Sequence, residues 1–428
     1  MRKSESLKYL KFLLFILIFF NFTKTYAQVE RPPQFVLMAF DGSLNLNMWE
    51  ETLDFAQEID VKFTYFISGV YFFTKAEKNS YYKAPGYKDG ASAIGYSDSA
   101  ESIKPRLEYL LRAQTEGSEI GSHANGHFDG TPWTLANWTS EFEQFDSILR
   151  KSAKSYLPES ETLFEQNIMN NMIGFRAPVL GVNSHVFQVL NDHDNGRFRY
   201  DTSRVTKIDY WPQINKGEKF WNFPLVSLVL ANSQRRTLSM DYNHYVAHQK
   251  LKQLGKGLSV SQMEADTYQT YINYFQTNYY GNRAPLHIGH HFSKWSGGAY
   301  WTAMKKFAKT VCTMPEVKCV TYAELVEYMD GVKDKIADFQ KGNFTKLSKT
   351  ALNSIGGTSA LQNLSASLLF NKYAFMNSKL QNIRLKNWQI KLSEEFQNQP
   401  LNQNTFFTKE QLMNLGINPD EHFMHEEE

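Results

Sequence analysis

Apolar residues come in short bursts that end on a polar or charged side chain, and these bursts alternate with stretches of helical period. Residues 34–41 (Gln34 to Asp41) and 61–68 (Val61 to Ser68) are apolar runs of strand length, which predicts two buried strands. Between them, Asn47 to Ile59 carries a helical repeat, so the three form a β-α-β unit with parallel pairing. Further helices are predicted over Arg106 to Thr115, Leu135 to Ser152, Asn183 to Leu190, Ser259 to Tyr280 and Tyr300 to Cys312. Further strands are predicted at Gly117 to Ser122, Met172 to Phe175, Phe198 to Asp201, Leu238 to Asp241, Leu286 to His291 and Val317 to Thr321, with a short helix running to about Met329. Residues 70–100 are rich in Tyr, Ser and Gly and keep neither period. They read as a long insertion of the kind that shapes a binding groove. The alternation predicts an α/β fold, either a (β/α) barrel or a doubly wound sheet.

Beyond residue 332 the pattern changes. Asn, Gln, Lys and Ser dominate, strands disappear, and the chain closes on a His- and Glu-rich tail from Glu421 to Glu428. Residues 333–428 are therefore expected to form a smaller, mostly helical accessory region with a solvated end. At the other end, Arg2, Lys3, Lys8 and Lys11 precede the apolar run Phe12 to Phe20 and the small-residue site Thr25-Tyr26-Ala27. That order predicts a secretory signal over residues 1–27, with Gln28 as the first mature residue and residues 28–332 as the main domain. The run is too short to span a bilayer comfortably, so stable membrane insertion is not expected; an uncleaved anchor is the alternative. The expected location is secreted or periplasmic.

Composition narrows the partners. The chain of 428 residues is 42% hydrophobic and 15% aromatic, which is globular and core-forming. Lys+Arg 46 against Asp+Glu 44 leaves no basic field for nucleic acid. The two cysteines, Cys312 and Cys319, are close in sequence, and in an oxidising compartment they predict a disulfide between a helix end and the next strand. No GxSxG elbow, Gly-rich phosphate loop or dinucleotide fingerprint is present, which disfavours a serine esterase or a nicotinamide enzyme.

The chemistry gathers at strand ends, where the loops of α/β proteins converge. Asp41 closes the first strand as a candidate working carboxylate, although an aspartate there also suits a turn or a helix cap. His123 and His127 stand four apart after a short strand and suit two ligands of one metal ion. Ala124 occupies the place where a zinc peptidase needs glutamate, so that class is excluded. Arg176 and Asp201 end two more strands, and Leu286 to His291 supplies three histidines. Alternate residues of a strand share a face. If Leu286 and Ile288 point inward, His290 shares their face while His287 and His291 point outward; a bulge would hand the role to His291.

Asp41, His123/His127, Arg176-Ala177-Pro178, Tyr200-Asp201-Thr202-Ser203 and Ile288-Gly289-His290 follow one another in an order that resembles the polysaccharide deacetylases with a NodB-homology domain. Tyr200-Asp201-Thr202-Ser203, Tyr210-Trp211-Pro212 and Arg283-Ala284-Pro285 look most like the chitin-deacetylase branch. The resemblance covers roughly residues 34–330. It implies a distorted (β/α) barrel that removes N-acetyl groups from a polysaccharide with the help of a divalent metal, zinc above all. By the same resemblance, His123 and His127 are metal ligands, Asp41 is the base, Arg176 orients it, Asp201 tunes the catalytic histidine, and His290 is the acid. The family's first motif is an Asp-Asp pair whose second carboxylate binds the metal, and here Gly42 takes that place. Asp41, Asp129, Asp241, Ser43 or water remain as the third ligand.

The expected partner is a glycan, peptidoglycan or chitin-like, with Trp295 as the aromatic face best placed for a sugar ring. A glycan-binding protein without catalysis, or an amidohydrolase of small acylated substrates, are the alternatives.

Overall fold

The computed structural model describes residues 29–345. The expected signal over 1–27 and the tail after residue 345 lie outside the described residues. Among the described residues, no helix is long and apolar enough to cross a membrane.

Eleven strands are present among the described residues. They are β1 (Gln34–Gly42), β2 (Thr64–Ile67), β3 (Glu119–Ser122), β4 (Gly174–Phe175), β5 (Tyr200–Asp201), β6 (Val205–Thr206), β7 (Trp221–Asn222), β8 (Leu225–Val229), β9 (Arg236–Leu238), β10 (Leu286–His291) and β11 (Val317–Cys319). The principal sheet runs β10-β1-β2-β3-β4-β5-β7 with β11 also paired to β1, and every pairing in it is parallel. A second sheet, β6-β8-β9, sits between its two ends. There Met240 bridges to Gly289 of β10, with Gly289 N donating to Ser239 O at 2.8 Å. The result is the expected distorted (β/α) barrel, with its circuit completed by the small sheet.

The larger helices are α1 (Leu46–Ile59), α2 (Ile103–Thr115), α3 (Leu135–Tyr156), α4 (Ser184–Asp192), α5 (Asp241–Gln253), α6 (Val260–Tyr279), α7 (Trp295–Val311) and α8 (Tyr322–Gly331). Their starts are written locally. Asn45 accepts from Met48 N ahead of α1, and Thr134, Ser259 and Thr321 each complete a reciprocal capping box with the residue three further on. Left-handed Ser296, Gly297 and Gly298 open α7, so its regular turns begin at Ala299. Segment 69–102 holds only short helical turns and isolated bridges, as its lack of period implies.

β1 organises the core because all nine of its residues are buried. Val36, Met38 and Phe40 join Trp49, Phe63, Tyr65 and Trp301 in a cluster under the outer helices, while Phe35, Leu37 and Ala39 join Phe66, Tyr200 and Tyr322 on the inner face. Leu286 and Ile288 belong to the outer cluster. The inward orientation expected of them is therefore reversed, and with it the parity of the three histidines. Cys312 at the end of α7 is bridged to Cys319 in β11, as the sequence suggests. Residues 333–345, grouped by composition with the accessory region, pack on the barrel: Ile336, Phe339 and Phe344 are buried in the inner cluster.

Candidate functional site

Asp41, at the end of β1, is 2% exposed, and Arg176 meets it from the end of β4 with Nη1 2.7 Å from Oδ1. The guanidinium lies over the Phe66 ring at 4.4 Å and also donates to Thr202 Oγ1 at 3.2 Å and Tyr322 Oη at 3.3 Å. Burial works against its charge, but the adjacent Asp41 carboxylate, together with Tyr322 and Tyr200, outweighs that and raises its pKa. Gly289 makes room for this arrangement. A Cβ there would meet Met240 Cε at 2.7 Å and Arg176 Nη1 at 3.4 Å.

His123 follows β3, and its Nδ1 sits 2.8 Å from the Arg176 carbonyl. A carbonyl only accepts, so the proton is on Nδ1 and Nε2 carries the lone pair. Burial lowers the pKa of His123, partly opposed by the negative Asp41, while Arg176 and His291 lower it further; all three therefore lie within electrostatic reach. The ring of His127 is 5.1 Å from that of His123, centroid to centroid. Two imidazoles on one tetrahedral zinc, with Zn–N of about 2.0–2.1 Å, bring their centroids to about 5 Å. The loop between them holds two non-glycine residues in the left-handed region, Ala124 (φ 56) and His127 (φ 59). Glu141, buried on α3, pins it: its carboxylate accepts from Asn125 N at 2.8 Å and from Tyr82 Oη of the insertion at 2.8 Å. Burial pushes the Glu141 carboxyl up to about 7.

The structure brings Asp41, Arg176, His123 and His127 together, but not His290 or Asp201. In register, Asp41 pairs with His291 and Phe40 with His290. His291 therefore shares the inward face of Asp41, whereas the His290 ring lies 6.1 Å from that of Phe40 in the outer cluster. His291 Nδ1 is 2.7 Å from Asp241 Oδ1, and its backbone N donates to Asp241 Oδ2 at 3.0 Å. Asp201 instead bonds Ser203, whose Oγ accepts from Ala177 N at 2.8 Å, and burial pushes its carboxyl up to about 6. The carboxylate on the histidine is thus Asp241, which sequence reasoning placed only among the metal-ligand candidates. Although burial opposes it, the two neighbouring imidazoles of His291 and His290 hold Asp241 well below the usual carboxylate range.

The other third-ligand candidates are engaged or are not carboxylates. Asp129 Oδ1 accepts from Thr131 N at 2.9 Å, and the buried Ser43 hydroxyl has no hydrogen-bond partner. Gly42 itself has φ +104, a conformation that L side chains rarely adopt, though a Cβ there would touch only Phe292 Cβ at 4.0 Å. Among the described residues, no three His, Cys, Asp or Glu side chains converge on a metal position.

A groove of about 870 Å³ adjoins the site beside Gly42 and Ser43, and its walls include Tyr71, Arg106, Tyr245 and Trp295. The Trp295 ring is 5.1 Å from that of His291 and stacks with Tyr245 at 5.6 Å.

No family model and no curated protein matches this chain. Solved structures similar to it include a protein of Mycobacterium smegmatis assigned as a polysaccharide deacetylase, at 12% identity over 72% of this chain and 96% of that one, with a TM-score of 0.46. A mutant of the peptidoglycan deacetylase PdaC from Bacillus subtilis aligns at 12% identity over 72% of this chain and 99% of that one, with a TM-score of 0.33. A CE4 family pseudoenzyme from Bacillus anthracis aligns at 9% identity over 71% and 70%, with a TM-score of 0.35.

Proposed function

We propose that this chain is a secreted or periplasmic polysaccharide deacetylase of the NodB-homology type that removes acetyl groups from N-acetylglucosamine in a glycan, peptidoglycan first and chitin second. The observation that carries the reading is the convergence, at one barrel mouth, of a carboxylate clamped by arginine, two histidines at metal-ligand spacing, and a carboxylate-backed histidine. Amide hydrolysis needs a base for water, stabilisation of the tetrahedral oxygen and an acid for the leaving amine.

His123 and His127 would hold the divalent metal, zinc first, and their spacing fits two corners of such a site. The metal would supply charge for the carbonyl oxygen and lower the pKa of water. Asp41 accepts the proton of the attacking water, and Arg176 holds that carboxylate in place through the 2.7 Å contact to its Oδ1. His291, held by Asp241, delivers a proton to the amine nitrogen as the C–N bond breaks. Trp295 offers a ring face beside His291, and the adjoining groove has room for neighbouring sugars, which favours a polymer over a small acylated substrate.

Gly42 favours a second reading. With the third carboxylate missing, the same scaffold could grip glycan without hydrolysing it. Acetate release from purified peptidoglycan and from chitin oligomers, with zinc and with chelator, separates the two. Zinc-dependent release is the result expected of the enzyme. Micromolar glycan binding with no release under any metal would overturn it in favour of the binder.

A further inference from the structure

Asp241 faces two imidazoles. Besides its contacts to His291, its Oδ1 accepts from Tyr242 N at 2.6 Å, and His290 Nδ1 lies 3.4 Å from Oδ2. His290 is also held at its other nitrogen, with Nε2 3.1 Å from the Tyr271 hydroxyl on α6. Asp241, His290 and Tyr271 are each 1% exposed or less. A carboxylate accepts and cannot donate, so both histidines turn Nδ1–H toward it. In the neutral imidazole, His290 Nε2 is then the acceptor and the Tyr271 hydroxyl the donor. With that assignment, each group in the chain Tyr271 to His290 to Asp241 to His291 has a donor facing an acceptor.

We propose that His290 and Tyr271 are positioning residues that brace Asp241 from behind, so that His291 keeps its proton on Nδ1 and exchanges the mobile proton only through Nε2. This rests on the reading of His291 as the proton donor. Without the brace, Oδ2 retains only the His291 backbone N–H, and the carboxylate is free to turn away from the ring. A plain packing role for His290 under Phe40 would not require a donor at this position or a hydroxyl on Tyr271.

The test pairs kinetics with a tautomer measurement that needs no turnover. In the zinc-loaded full chain, Tyr271→Phe should lower kcat for acetate release from N-acetylglucosamine oligomers by about five- to tenfold, the scale of one hydrogen bond, with KM unchanged. His290→Asn keeps a donor near the Nδ1 position and should stay within about threefold of the parent. His290→Leu has no donor and should lose on the order of tenfold. Long-range proton–nitrogen NMR of the parent should show Nδ1–H tautomers for both His290 and His291, and a mixed pattern for His290 in Tyr271→Phe. Nε2–H on His290 in the parent, or full kcat in both Tyr271→Phe and His290→Leu, would overturn the brace. If no variant or parent releases acetate, the functional reading fails, while the tautomers still decide whether the brace exists.

Discussion

Replacing Arg176 with Gln removes one partner of an ion pair whose side chains are 0% and 3% exposed. Asp41 would then sit buried with its strongest counter-charge gone, and the oxygens of Thr202 and Tyr322 would lose a donor. Breaking a buried pair in this way costs about 3–5 kcal/mol, because the remaining charge is uncompensated. Against a typical domain stability of about 5–15 kcal/mol, that is a large fraction. Asp41→Asn alone should cost a comparable amount by stranding the guanidinium. Arg176→Gln combined with Asp41→Asn removes both charges, and should be more stable than the sum of the single losses implies by about 1–3 kcal/mol. Urea unfolding of the four proteins at pH 7 and fixed zinc measures the cycle. Additive losses, or a cost under about 1 kcal/mol for Arg176→Gln, would refute the coupling of Arg176 to Asp41.

Three further outcomes follow from the same geometry. Burial pushes Glu119 up to about 7, beneath hydrogen bonds from Tyr200 Oη, Thr64 Oγ1 and Ala323 N. Its folded pKa lies above the unfolded value, so its stabilising contribution is complete below about pH 4.5 and is lost as pH rises toward 7; Glu119→Gln should flatten the stability profile in that window, measured as Tm against pH. Cys312→Ser opens a loop of sequence separation 7 and should cost about 2–3 kcal/mol in the chain-entropy account, with acetate release unchanged in kcat. His123→Ala or His127→Ala should abolish zinc binding by calorimetry, since one imidazole alone holds a divalent ion poorly; stoichiometric zinc retained in either variant would remove the substituted histidine from the site.

Much of the barrel was legible because strands buried on both faces leave continuous apolar runs, and β1 is the clearest of them. The same property hid the orientation of β10. When helices cover one face and the barrel interior the other, Leu286 and Ile288 are equally apolar on either side, so parity cannot be anchored on them. Only the register with β1 puts His291 beside Asp41. Asp201 and Asp241 both follow strand-like runs, and nothing local distinguishes them. Their roles differ because the small sheet carries Met240 against Gly289, which delivers Asp241 to His291. That sheet was itself largely invisible, since two-residue strands such as β6 are too short to carry a period.

The proposed deacetylase depends on Asp41 serving as its base and not as one of its metal ligands. Acetate release by Asp41→Asn, measured on N-acetylglucosamine oligomers beside the zinc content of the same sample, tests it most directly. Bound zinc should equal that of the parent, and the rate should fall by about 10²–10⁴, the range for loss of a general base. Undiminished acetate release, or loss of zinc together with activity, would contradict it.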